Sequence, residues 1–326
     1  MKITLAHGSG GRATADLIES VFAGRFSNPE LDKMEDCAVV GGSGRLAVTT
    51  DSFVVTPLEF KGGDIGRLCI CGTVNDLLMR GAVPKYITCG FIIEEGIDSA
   101  LLERIADSAA EAAKEAGVII VAGDTKVIEG SGGLYINTAG VGFVDEKVSI
   151  SSANCAPKDA VVLSGNLGDH HAAILSHRMG IGNGIRSDNA PLCEMVRAML
   201  DAGLQIHAMR DVTRGGLGTV LNELASASGC GFEIYEDKIP VSLEVASFAE
   251  ILGLDIMHMG NEGKMVAVLP GEQAERACEI MRACRYGENA AVIGLATEKS
   301  GVSMRTRIGG RRNVSVLIGE GLPRIC

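Results

Sequence analysis

Four acidic positions in the first 126 residues stand where a carboxylate can meet a ligand: Glu35-Asp36, Asp51 in Thr50-Asp51-Ser52, Asp76 in Asn75-Asp76, and Asp124 in Gly123-Asp124-Thr125-Lys126. Asp51 and Asp124 follow apolar stretches that read as strands, so each is expected to project from a sheet edge into a cleft. Asp76 sits inside an otherwise apolar helix, an expensive place for a carboxylate unless it is paired or holds a metal. Any one of these positions reads more simply as a turn or a cap. Four together are the supply that a Mg²⁺–phosphate site needs, because Mg²⁺ takes a few carboxylates and completes its shell with water and phosphate oxygens. Asp36, Asp51, Asp76 and Asp124 are therefore the expected metal-site residues.

Other segments suit anions. His7-Gly8-Ser9-Gly10-Gly11 precedes a helix, where the backbone N–H groups of Gly10 and Gly11 can converge on a phosphate. Glycine loops of this kind are common, and no Gly-Lys-Ser/Thr follows to make it a P-loop. Arg210-Asp211-Val212-Thr213-Arg214-Gly215-Gly216 sets two guanidiniums and a carboxylate before a helix, a plausible anion clamp. Asn261-Glu262-Gly263-Lys264 adds a polar cluster just ahead of a strand. Adjacent His170 and His171 point to different sides of a helix, so a polar role in its first turn fits better than a shared metal. The sequence closes on Pro323-Arg324-Ile325-Cys326. A thiol on a mobile end can be carried into a distant site and presented to another protein, although chance also places a cysteine there.

Composition narrows the class. With 326 residues, 46% of them hydrophobic, the chain is long enough for two domains and rich enough in apolar side chains to bury cores. The net charge of −11, from 30 basic and 41 acidic side chains, disfavours nucleic acid as a partner and suits bound Mg²⁺. Aromatic residues make up only 4% and tryptophan is absent, so a ligand should be gripped by backbone amides and charges. No signal-peptide core and no run of 18 or more apolar residues occurs, which predicts a cytosolic protein without a membrane partner. Ten cysteines with no Cys-x-x-Cys pair are then expected as reduced thiols, nine of them structural or incidental.

Hydrophobic periodicity supplies the elements that must hold these groups. Helices are expected over Arg12–Phe26, Asp64–Gly81 and Ser99–Gly117. Strands are expected over Ala38–Val40 and Leu46–Thr50, and a hairpin joins Val118–Val127 to Leu134–Val144 across Glu129–Gly133. After a polar stretch, a second unit opens with a strand at Ala160–Ser164. Helices follow at Asp169–Met179, Pro191–Gly203, Gly216–Ser228, Leu243–Leu252 and Glu272–Ala283, with strands at Gly231–Tyr235, Lys264–Leu269 and Ala291–Ala296. The pattern is mixed α+β and disfavours a doubly wound sheet. Residues 1–150, 151–318 and a tail at 319–326 are the expected divisions.

With these segments in view, the chain resembles the HypE family of hydrogenase maturation factors, carbamoyl dehydratases of the AIR-synthetase (PurM)-like, ATP-binding superfamily. The matching stretches are HGSGG at 7–11, TDSFVVTPLEFKGGDIG at 51–66, CGTVNDL at 71–77, GDTKV at 123–127, RDVTRGGL at 210–217, NEGK at 261–264 and the terminal PRIC. They span essentially the whole length. Two departures stand out: Glu35-Asp36 replaces a pair of aspartates, and His170-His171 replaces His-Gly, so His171 carries no assigned role.

The resemblance implies a fold of two mixed α/β PurM-like domains, the first binding ATP and Mg²⁺ and making a homodimer through its strands. It implies that Gly10, Gly11, Asp51, Thr73, Asn75, Asp76, Asp124, Arg210, Asp211 and Arg214 bind the nucleotide. It further implies that a HypF-type carbamoyltransferase loads the Cys326 thiol, that ATP drives dehydration of the thiocarboxamide to a thiocyanate, and that the cyano group passes to iron on a HypC–HypD complex. Lys126 and Glu262 are implied beside the thiocarboxamide, in positioning or proton transfer. AIR synthetase, which needs no terminal thiol, and selenophosphate synthetase, which uses a Cys or Sec near its glycine loop, fit less well. A non-catalytic scaffold is the alternative of a different class, and retention of Asp51, Asp76, Asp124 and Lys126 argues against it.

Overall fold

The computed structural model describes residues 2–8, 16–33, 41–42 and 44–316. The first sheet contains β1 (Arg45–Phe53), β4 (Ala82–Glu94), β5 (Ile119–Ile128) and β6 (Leu134–Val144) in the order β1-β6-β4-β5. A two-stranded ribbon, β2 (Glu59–Phe60) with β3 (Gly63–Asp64), leads into helix α1 (Ile65–Leu78). Asp64 caps that helix by accepting the Arg67 N–H at 2.9 Å. Nearly every residue of α1 is buried, as befits a helix apolar all round. It lies against β1, β6 and the amphipathic α2 (Ser99–Ala116), which ends on Gly117 at φ 71°.

The close approach of α1 to α2 depends on Gly66. A Cβ there would stand 2.1 Å from the Ile105 carbonyl oxygen. Gly66→Ala is expected to destabilise the chain by about 2–3 kcal/mol, read as a lowered urea midpoint, because backbone must move to admit the methyl group. An unchanged midpoint would contradict this account of the helix pair.

One expectation fails here. Val118–Val127 and Leu134–Val144 do not form a hairpin, because β4 stands between β5 and β6, parallel to β5 and antiparallel to β6. The glycine loop between them passes over the end of β4 instead of turning back tightly. Glu94, at that end, accepts the N–H groups of Ser131 and Gly133 at 2.9 Å each and fixes the crossing. In the N-terminal segment the described part of the expected helix is π-helical over Ile18–Ala23, with Leu17, Val21 and Phe22 buried. The expected strand at residues 38–40 lies outside the described residues.

The second sheet has seven strands: β7 (Asp159–Leu163), β8 (Ala208–Asp211), β9 (Gly231–Tyr235), β10 (Met265–Pro270), β11 (Ala291–Thr297), β12 (Gly301–Arg305) and β13 (Arg311–Asn313). Their order is β13-β12-β9-β11-β7-β10-β8, antiparallel throughout except for β9 beside β12. Helices α3 (Asp169–Arg178), α4 (Cys193–Asp201), α5 (Gly216–Ser228), α6 (Leu243–Leu252) and α7 (Ala274–Ala283) complete this half. A single buried cluster joins the two halves, with Leu68 and Ile105 of the first packed into the same core as Leu192 and Met265 of the second. All eight described cysteines are free thiols, seven of them buried. Burial pushes Cys155 up to about 12 and Cys193 and Cys278 to about 11, the signature of structural thiols.

Candidate active site

Two carboxylates come from the first half. Asp76, in the last turn of α1, accepts a hydrogen bond from the Thr49 hydroxyl of β1 at 2.9 Å. Asp51, two residues further along β1, shares the face of Thr49 and lies 3.6 Å from where a Cβ on Gly72 of α1 would stand. Burial raises the Asp51 carboxyl above its ordinary range; the Ser52 N–H opposes this, and the charge of Asp76 raises it further. Burial likewise raises Asp76, opposed by the Thr49 hydroxyl and the Arg210 charge.

Two more come from the second half. Burial, and then the charge of Asp76, lifts Asp211 at the end of β8 to about 7. Burial lifts Glu262 well above the usual carboxylate range, reinforced by Asp211, Asp188 and Asp51. Arg210 and Arg214 counter the crowding, with Arg214 acting on both Asp51 and Glu262. Arg214 is delivered by a turn in which Gly215 and Gly216 take φ 84° and 66°; a Cβ on Gly216 would meet the Met257 carbonyl at 2.6 Å. The junction thus gathers Asp51, Asp76, Asp211 and Glu262 within electrostatic reach, drawn from a strand, a helix, a second strand and a loop.

The donor set suits Mg²⁺ bound together with phosphates. Hard oxygen ligands whose like charges raise one another are stabilised by a divalent cation, and Mg²⁺ needs only one or two carboxylates when phosphate oxygens supply the rest. Among the described residues no three His, Cys, Asp or Glu side chains form a ready-made metal cage.

The expected four-carboxylate grouping needs correction at Asp124. In register across the sheet, Asp51 lies opposite Thr138, then Cys89, then Gly123, whereas Asp124 belongs to the next row with Gly90, Asn137 and Ser52. Adjacent rows face opposite sides, so Asp124 lies on the open face, away from α1. Both Asp51 and Asp124 lie within strands, not after them. Lys126 shares that open face, and its Nζ donates to Asp124 at 2.6 Å. Lys126 and Glu262 are therefore not neighbours within one chain.

Thr73 and Asn75 have inward roles in this structure. Thr73 is fully buried against the Thr138 hydroxyl. Asn75 clamps the two halves: its Nδ2 donates to the Ala190 carbonyl and its Oδ1 accepts the Leu192 N–H, each at 3.0 Å. Both histidines of α3 are buried, His170 bonded to the Ser187 hydroxyl at 2.8 Å and edge-on to Phe60. Gly10, Gly11, Asp36 and Cys326 lie outside the described residues.

Sequence reasoning passed over Asp188. Its carboxylate accepts the N–H groups of Glu262 at 3.1 Å and Gly263 at 3.3 Å, and so sets the backbone that carries Glu262. Gly263 is required there, since a Cβ would stand 1.9 Å from the Asp188 carbonyl oxygen. The only signal was a polar Ser187-Asp188-Asn189 run in a stretch without periodicity.

Residues 34–144 match the N-terminal domain family of AIR synthase related proteins, and residues 156–307 match the C-terminal domain family. The chain is 49% identical to carbamoyl dehydratase HypE of Azotobacter vinelandii over 331 aligned residues, covering 99% of this chain and 97% of that protein. It belongs to the HypE family. A solved HypE structure in complex with ATP superposes on this HypE-family chain with a TM-score of 0.95, at 43% identity and 99% coverage of both chains. A HypE chain from a HypE–HypF complex superposes with a TM-score of 0.82, at 46% identity over 92% of this chain and 99% of that one. The fold is accordingly two AIR-synthase-related domains. Among the described residues, no helix is long and apolar enough to cross a membrane.

Proposed function

We propose that this HypE-family chain uses ATP to dehydrate a carbamoyl group, carried as a thiocarboxamide on Cys326, to a thiocyanate that supplies cyanide ligands to a [NiFe]-hydrogenase iron centre. The supporting observation is full-length likeness to HypE, including an ATP complex, together with the carboxylates gathered at the junction. A HypF-type carbamoyltransferase loads the thiol, a HypC–HypD complex carries the iron that accepts the cyano group, and the cytosol is the place of action. A solved HypE–HypF complex supports the first of these partners.

An amide oxygen is a poor leaving group. The thiocarboxamide oxygen attacks the γ-phosphorus of ATP and the bond to ADP breaks. The C–O bond then breaks as phosphate leaves, both amide protons pass to a base, and the former carbamoyl oxygen ends in inorganic phosphate. The protein's part is positioning and charge stabilisation. Glu262, its backbone held by Asp188 and its carboxyl raised well above the usual range by burial, is a stronger base when ionised than an ordinary carboxylate. Lys126 is the other candidate for that role. Residues 1–150 hold nucleotide and metal, 151–318 close the site, and 319–326 deliver the thiol. Asp51 and Asp76, with Asp36 and Asp124, would hold Mg²⁺, which offsets charge on the triphosphate.

Asp124 and Lys126 join such a site through a second copy. The open face that carries them also exposes Leu46, Val48, Val83, Ile92 and Ile128, with Val48 70% and Val83 63% accessible. An apolar surface of this kind marks an interface, and we assign it to a homodimer. Val48→Asp is expected to yield monomers by light scattering with an unchanged circular dichroism spectrum; a persisting dimer would remove this face from the interface. The function itself is tested by phosphate release from Mg-ATP with and without prior carbamoylation of the chain. Release that ignores the carbamoyl group would refute the dehydratase reading.

A further inference from the structure

A cavity of about 570 Å³ shares no wall with Asp51, Asp76, Asp211 or Glu262; it is bounded by Gly62, Asp169, Arg186, Asn189, Lys264 and Tyr286 among others. Its size falls among small-molecule sites, roughly 300–1,000 Å³. Asn189 is 4% exposed, yet among the described residues neither its Nδ2 nor its Oδ1 has a hydrogen-bond partner. Buried amides are almost always paired, so both an acceptor and a donor are missing opposite it. Its backbone fixes its aim: the carbonyl accepts the Arg67 Nε–H at 3.0 Å and the N–H donates to the Ser187 hydroxyl at 3.1 Å.

The cavity also holds positive charge that is not fully engaged. Lys264 is 8% exposed, and among the described residues its nearest carboxylate oxygen, on Asp188, is 3.9 Å away, beyond hydrogen-bond length. Asp188 is already engaged by the N–H groups of Glu262 and Gly263. Burial and then Asp188 lift the Asp169 carboxyl to about 6, opposed by the charge of Lys264, which thus faces Asp169 as well as Asp188. Arg186 stands exposed at the rim. Arg67 and Arg285, by contrast, are both bonded to Glu115. At the same rim Tyr286 is held at φ 72°, a left-handed conformation uncommon for a bulky side chain and found most often near functional sites.

We infer that this cavity binds a small anion carrying an amide-like edge, an N–H donor beside an acceptor. The edge pairs with Asn189, and the anionic group is held by Lys264 and Arg186. Two sources share that chemistry: an adenine nucleotide, whose base presents such an edge to asparagine, and a carbamoyl phosphate. The site is separate from the junction carboxylates but mechanically joined to them. Asp188 forms its wall and also holds the Glu262 backbone, while the neighbouring Ala190 carbonyl takes the Asn75 amide.

Equilibrium dialysis of the full chain against AMP, carbamoyl phosphate and inorganic phosphate tests this. AMP or carbamoyl phosphate should bind, whichever does so identifying the source, and inorganic phosphate should bind about tenfold more weakly or worse. Arg186→Ala, at an exposed position that does not threaten folding, and Asn189→Leu should each weaken binding about tenfold or more. Asp76→Asn should leave it unchanged. Absence of binding at millimolar concentration, indifference to both cavity variants, equal binding of inorganic phosphate, or loss in Asp76→Asn would each overturn the inference. Failure of the dehydratase reading would register elsewhere, as phosphate release from Mg-ATP that ignores prior carbamoylation of the chain.

Discussion

Cys326→Ala is expected to fold normally and bind ATP normally while forming no thiocyanate at all. The proposed chemistry takes place on an acyl group attached to this sulfur, and the eight described cysteines offer no substitute. Burial raises the thiols of Cys69, Cys71, Cys155, Cys193, Cys278 and Cys284, which suppresses the thiolate that a carbamoyl acceptor requires. The substitution removes a single sulfur and adds no bulk or charge, so it should cost little stability. The check is mass spectrometry for protein-bound cyanide beside a melting curve and ATP titration. Bound cyanide in the alanine variant would remove Cys326 from the mechanism.

Asp76→Asn is expected to lower Mg-dependent ATP turnover about a hundredfold or more without unfolding the chain. Burial raises Asp76, and its charge in turn raises Asp51 and Asp211, so the ionised carboxylate is held here at a cost to stability. An isosteric amide relieves that repulsion and can still accept the Thr49 hydroxyl. The expected result is therefore lost turnover with an unchanged or raised melting temperature, which separates a functional role from a structural one. Wild-type turnover in this variant would refute its place at the metal–phosphate site.

Much of this arrangement was legible in the chain before any coordinates. Helices such as Ser99–Ala116 declare themselves by an apolar stripe and a terminal glycine, and strands such as Gly231–Tyr235 by their bounding turns. Asp76 stood out because a carboxylate in an apolar helix demands an explanation. Strand pairing was not legible. The run Leu134–Val144 alternates whichever neighbour it has, and only the crossing held by Glu94 places β4 beside it. The same gap hid the facing of Asp124, since a one-row offset reverses a side chain while leaving the sequence pattern intact. Thr73 and Asn75 entered as nucleotide contacts through the family resemblance, and the sequence does not disclose the inward bonds they also make. Their partners, Thr138 and the backbone at Ala190 and Leu192, are distant in sequence and appear only on folding. Asp188 was missed for a related reason, as its effect runs through backbone N–H groups that carry no side-chain signature.

The central claim, that ATP dehydrates a carbamoyl group on Cys326, is met most directly by intact-mass analysis. The purified chain would be incubated with an active HypF-type transferase, carbamoyl phosphate and ATP, and then with Mg-ATP alone. The account predicts the mass of one added carbamoyl group mapped to Cys326, followed by loss of one water. A chain that stays unmodified by a demonstrably active donor, or a carbamoyl adduct that persists in Mg-ATP without losing water, would contradict it.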